Sequence, residues 1–398
     1  MKRSKRIEWI VARPWQWSRS FFLIIILIAA SFNLAAQDDE RNWTLRGYVK
    51  DMVTMTRLTV DYPFYELDTF YVDNLIHNRL NFQWISNDKW SAKIELRNRL
   101  LVGDTPKGSP DLDTNNDFFN LSYNWQNDNL VFNSVIDRAY VQYSADDWIL
   151  SVGRQRINWG VNVAWNPNDI FNAYSLVDFD YAERPGSDAI RFQKFIGYAG
   201  GYELAVKLAD DWTEVTAAGL YKWNVQSYDV QIMGGIMQNN IATGAGWAGN
   251  IGLMGFKGEF SYFYPLNDVE SDGFLGSMTW DYSFPNSLYF NGSFLYSTYG
   301  TDSFGGTSFF QTTSPGDVRY LSNTEWTTFL QSSYTFHPLV NGGLMLIYFP
   351  GSDDIFYLAP TLTLSPWKNF DIDAIGQIIV GMDDVSMFAT NIRAMYSF

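Results

Sequence analysis

The stretch Asp146–Arg191, DDWILSVGRQRINWGVNVAWNPNDIFNAYSLVDFDYAERPGSDAIR, decides how the chain is read. Trp148 to Ile157 has the look of a strand, and Asp188 to Phe195 has it again. Between them lies a long irregular segment rich in Asn, Asp and aromatic residues. A strand, an oversized loop and a returning strand make a hairpin, and hairpins of this kind recur along the chain.

Working outward, the clearest alternation is Trp90 to Leu100, where Trp90, Ala92, Ile94, Leu96 and Leu100 share one face and Ser91, Lys93, Glu95, Arg97 and Arg99 the other. Eighteen such runs are expected between 43–55 and 385–398, including a short pair at 246–255 and 258–264. Connections after even-numbered runs are tight, as at Asn87-Asp88, Pro285-Asn286-Ser287 and Pro366-Trp367-Lys368. Those after odd-numbered runs include every long one: 56–74, 102–129, 159–187, 265–273 and 300–324. A soluble sandwich has no reason to obey this parity. An all-β, antiparallel up-and-down transmembrane barrel does, with short periplasmic turns and long extracellular loops. Trp90, Trp148 and Trp212 at strand starts, and Tyr282, Phe284, Tyr334 and Phe336 at strand ends, would form its aromatic girdles against the membrane lipids.

Composition agrees. The 398 residues include 18% aromatics, two His and no Cys, with a formal charge of −15. Lys2, Arg3, Lys5, Arg6, Arg13 and Arg19 precede the apolar run Phe21–Ala30 and the small-residue site Ala35-Ala36, the pattern of a cleaved signal peptide over 1–36 ahead of a barrel over 37–398. Removing that leader takes away six cations and one acid, Glu8, and leaves the chain more acidic still. Such a chain is a poor partner for nucleic acid, which needs clustered cations. Without Cys, disulfides, lipid attachment and thiol chemistry are excluded.

Phe388, Ile392, Ala394, Tyr396 and the terminal Phe398 share one face of the last run. Here the sequence resembles a Gram-negative outer-membrane barrel, whose final strand is read by the barrel assembly machinery. Gly153-Arg154-Gln155-x-x-x-Trp159-Gly160, Asn166-Pro167-Asn168-Asp169 and Gly186-x-Asp188-Ala189-x-Arg191 resemble an uncharacterised porin-like group akin to the alginate-export barrels and common in Bacteroidetes. The resemblance implies passage or export of a polar solute across a cell outer membrane and fixes no substrate; the leading reading is a channel for small polar solutes, anionic or carbohydrate.

A barrel this wide holds an aqueous path or a plug, so its inner residues carry selectivity. Basic candidates for the pore lining cluster early: Arg79, Lys93, Arg97, Arg99, Arg138 and Arg191, with Glu95 among them. They form either a cationic track or structural ion pairs with Glu95, Asp137 and loop acids. The loop 159–187, carrying Asp169, Asp178, Asp180 and Glu183 among many aromatics, is expected to fold inward as a constriction. Strict alternation from Trp148 would turn Arg154 and Arg156 toward lipid, and a bulge at Gly153 would resolve the conflict. Asp111, Asp113, Asn115 and Asp117 have calcium-loop spacing, but Asn116 replaces the turn Gly and Ser122 the bidentate Glu. An enzyme is not expected: His77 and His337 are the only imidazoles, and diffusion through a constriction calls for no cofactor. The other reading is a non-conducting barrel serving as an assembly partner or surface-binding scaffold.

Overall fold

Period-2 alternation becomes one antiparallel sheet closed on itself. The computed structural model describes residues 42–62, 65–105, 117–173, 186–267, 271–301, 317–351, 354–381 and 385–398. The expected signal peptide lies outside them. In chain order the strands are β1 (Trp43–Tyr62), β2 (Tyr65–Ile85), β3 (Trp90–Gly103), β4 (Ser122–Asn127), β5 (Leu130–Ser144) and β6 (Trp148–Gln155). Next come β7 (Ser187–Ile196), β8 (Gly200–Lys207), β9 (Thr216–Val225), β10 (Tyr228–Met237), β11 (Asn240–Ile251), β12 (Met254–Pro265) and β13 (Gly273–Ser283). The last are β14 (Leu288–Ser297), β15 (Trp326–His337), β16 (Val340–Phe349), β17 (Ile355–Trp367), β18 (Phe370–Val380) and β19 (Val385–Ser397). Each barrel strand pairs with its neighbours in sequence, and β1 pairs with β19 to close an eighteen-strand barrel. Closure leaves no barrel-long free edge.

The faces are inverted relative to a water-soluble protein. On β3, Ile94 is 49% exposed on the outside while Glu95 is 1% exposed on the inside. The same contrast sets Phe260 against Glu259 and Ser261 on β12, and Met278 against Ser277 and Thr279 on β13. So continuous an exposed apolar belt is stable only against lipid. Aromatic rings contact one another around the short-turn rim, from Trp90 through Tyr143, Trp148 and Phe192 to Tyr202. Phe260, Phe274, Tyr296 and Trp326 make a second such run nearer the opposite rim. Trp212, expected in a girdle, is instead on a 3-10 turn in the β8–β9 connection and is 90% exposed.

Parity holds at the short-turn rim, where no connection outruns 86–89 or 284–287. Two expectations change. The segment 56–74 is no loop, because β1 and β2 continue their ladder from Trp43↔Trp84 to Tyr62↔Tyr65. The expected pair at 246–255 and 258–264 is shifted: β11 and β12 turn at 252–253, while β10 and β11 meet at Gln238-Asn239, both with positive φ as in a type I′ turn.

The strand β4, absent from the sequence expectation, lies in the second long connection. It pairs with the upper half of β5, Ser122↔Val135 to Asn127↔Leu130, on the edge that β6 occupies lower down. β6 is short, and β4 completes the wall above it. Asp117 and Phe119 tie the approach to β4 down: Asp117 pairs with Lys207 at 3.0 Å, and the Phe119 amide donates to Asp188 at 2.8 Å.

Candidate functional site

Arg79 on β2, Lys93, Glu95 and Arg97 on β3, and Asp137 and Arg138 on β5 meet on the inner face. Arg79 pairs with Glu95 and, at 2.6 Å, with Asp137; Arg97 reaches Asp137 at 3.0 Å. Arg138 reaches Glu95 at 3.0 Å and Lys93 reaches it at 2.5 Å. One strand cannot ordinarily turn adjacent residues to the same side. Here the ladder slips between Glu95 and Leu96, so that Glu95 faces Arg138 and Leu96 faces Ile136. This β-bulge brings both Asp137 and Arg138 into the network. Burial demands such pairing, because an isolated charge out of water costs several kcal/mol. Arg99, further up β3, donates to the Asn133 side-chain oxygen. Thus Arg79, Lys93, Glu95, Arg97 and Arg138 are brought together with Asp137.

Arg191 lies elsewhere. On β7 it grips Glu203 with two bonds of 2.8 Å, and Glu203 also accepts from Gln193 and from the Trp159 indole N–H. Trp159 belongs to the β6–β7 loop, whose described part enters the barrel. Its backbone oxygen accepts from Gln231 on β10. Further along, the Val161 and Asn162 amides donate to Glu259 Oε1 at 3.2 and 3.1 Å, and the Asn168 amide donates to Glu259 Oε2 at 3.0 Å. The Asn162 side chain donates to the Ser277 carbonyl at 3.1 Å, and that of Asn168 to the Ala245 carbonyl at 3.0 Å. Trp165 goes on to pack edge-on against Phe329 of β15, in an inner apolar cluster with Leu295, Met345 and Ile347. The loop therefore spans the barrel from its base on β6 and β7 to the opposite wall.

Of the constriction acids, Asp169 is 1% exposed and accepts from the Trp159 amide at 3.3 Å. That bond joins the two limbs of the loop. Asp178, Asp180 and Glu183 lie outside the described residues. So do Asp111, Asp113 and Asn115 of the calcium-like spacing, whose fourth member, Asp117, is committed to Lys207. His77 sits mid-strand on β2, fully buried beside Tyr48.

The bulge expected at Gly153 is not there, since the β5–β6 and β6–β7 ladders run through it in register. Gly153 instead takes φ +117°, a region that L side chains avoid, with the Ala139 carbonyl against the place a Cβ would fill. Arg154 does point to the outer side, yet it is 1% exposed. Its guanidinium donates to Asp188 at 2.7 and 2.9 Å, to the Ile136 carbonyl at 3.2 Å and to the Phe119 carbonyl. The charge is buried by the segment leading into β4 and satisfied there. Arg156 remains exposed.

No protein-family model matches the chain, and no curated protein matches it in sequence. Solved structures match along its length. OccK7 (OpdD) of Pseudomonas aeruginosa gives a TM-score of 0.57 at 9% identity, covering 90% of this chain and 99% of that one. OccK5 (OpdH) of the same organism gives 0.56 at 10%, covering 89% and 98%. OccAB4 of Acinetobacter baumannii gives 0.52 at 11%, covering 88% and 98%. Likeness at these identities establishes the fold. A closed eighteen-strand antiparallel barrel with an apolar outer belt is an outer-membrane barrel.

Proposed function

We propose that this barrel is an outer-membrane channel for small polar solutes, narrowed by the inward-folded β6–β7 loop. The observation that carries this reading is the loop's path across the barrel, hydrogen-bonded to the far wall. Its structural neighbours are outer-membrane porins, which supports passage of small solutes. The cation-rich inner wall, where Lys93 and Arg138 stay partly exposed beside Glu95, supports an anionic solute. The narrower likeness to alginate-export barrels agrees with a polar solute and fixes no substrate.

Purified protein in planar bilayers should give defined conductance steps, and a liposome-swelling panel of sugars and organic acids should rank its solutes. Arg97→Ala with Arg99→Ala should move the reversal potential toward cations, because Asp137 loses a partner charge. An unchanged reversal potential would discard these arginines as selectivity determinants. Absence of steps from wild-type protein would favour a barrel closed by its loops and acting as an assembly partner or scaffold.

A further inference from the structure

We propose that Glu259 fixes the cross-section of the pore by seating the β6–β7 loop on β12, five strands round the barrel from β7; this rests on the channel reading above. Glu259 is on β12, faces inward and is 1% exposed. Its two oxygens collect backbone amides from both limbs of the loop turn, Val161 and Asn162 on one side and Asn168 on the other. A carboxylate holding main-chain N–H groups fixes backbone position independently of the loop's side chains. Glu203, a second inner acid that touches the loop among the described residues, makes a different set of contacts. It is already gripped by Arg191 and Gln193, and receives one indole N–H from the loop.

The wall around Glu259 is shaped to match. The Asn168 side chain occupies the space a Cβ on Gly244 of β11 would need. Ser261 Oγ lies 2.8 Å from both the Pro167 carbonyl and Asn168 Oδ1. A missing side chain, a hydroxyl and a carboxylate on adjacent strands thus form one seat for residues 161–168. Glu259 is a positioning residue: it acts on solute through the loop.

The absence of Cys allows a readout independent of transport. Ala164 is 3% exposed in the seated loop. Ala164→Cys should therefore react slowly with a membrane-impermeant maleimide in vesicle-inserted protein. Adding Glu259→Ala should speed labelling roughly tenfold by populating the open loop, and single-channel conductance should rise. Gly244→Val, which fills the seat and keeps the carboxylate, should do the same, separating unseating from loss of charge. Glu259→Gln, with one acceptor oxygen left, is read in place of Glu259→Ala if the latter fails to fold, as judged by heat-modifiable gel migration. Unchanged labelling in both backgrounds overturns the seat. Faster labelling with unchanged conductance overturns its control of the cross-section. A wild-type barrel that never conducts overturns the channel reading, and labelling then reports the seat alone.

Discussion

Asp137 on β5 and Glu259 on β12 are both inward-facing acids, each 1% exposed. Asp137 accepts from two arginine side chains of its own wall, Arg79 and Arg97. Glu259 accepts from backbone amides of a loop rooted on other strands. The first pairing ties neighbouring strands together and makes buried charge tolerable. The second ties two distant parts of the chain and decides where a loop lies. Identical burial therefore says little about what an acid does; the origin of its donors says more.

The contrast predicts unequal costs. Asp137→Ala should be the most damaging change, costing about 3–5 kcal/mol of stability because two buried guanidiniums lose a shared counter-charge. The urea midpoint for unfolding from vesicles would measure it, and a midpoint close to wild type would remove the distinction between the walls. Ser261→Ala should cost about 1 kcal/mol, the value of an ordinary hydrogen bond, and should raise loop accessibility while leaving ion selectivity alone. A selectivity change on that substitution would mean the far wall also reads charge.

The smallest effect belongs to an acid that performs Glu259's chemistry in water. Asp211, in the exposed β8–β9 connection, caps the 3-10 turn by accepting from the Thr213 amide at 2.9 Å. That bond holds its carboxyl below the usual aspartate range. A depressed folded-state pKa contributes stability above the unfolded-state pKa and loses it as pH falls through the folded-state value. Protection of the Thr213 amide from hydrogen exchange, corrected for intrinsic rates, should weaken over that acidic range with the barrel intact. Exchange that ignores pH would show that solvent screening leaves the cap without influence.

Much of the wall was legible in advance. Trp90 to Arg99 alternates cleanly because lipid and lumen impose opposite polarities on successive residues, and the burial of Glu95, Arg97 and Arg99 follows that pattern. The motif around Gly153 and Asn166–Asp169 was visible too, and its residues turn out to build the loop's root and its docking turn. The bulge was misplaced because Asp137-Arg138 looks like any pair of neighbouring charges until the register with β3 is known. β4 was missed because SYNWQN is short and polar. Glu259 escaped notice because its donors are backbone amides up to 98 residues away, which no side-chain pattern records. The nearest signal was a lone acid among outward aromatics in Phe256–Tyr264.

The sequence by itself determined the barrel: period-2 polarity, short and long connections in alternation, and aromatic residues at strand ends are local properties set by lipid on one side and water on the other. Only the tertiary structure decided the partners of the charges and the course of the loop from Arg156 inward. Those depend on register, on a one-residue slip at Asp137, and on which wall holds a carboxylate where loop amides arrive. Within Asp146–Arg191 the strands were written in the pattern, while the seat that holds the loop between them lies on β11 and β12.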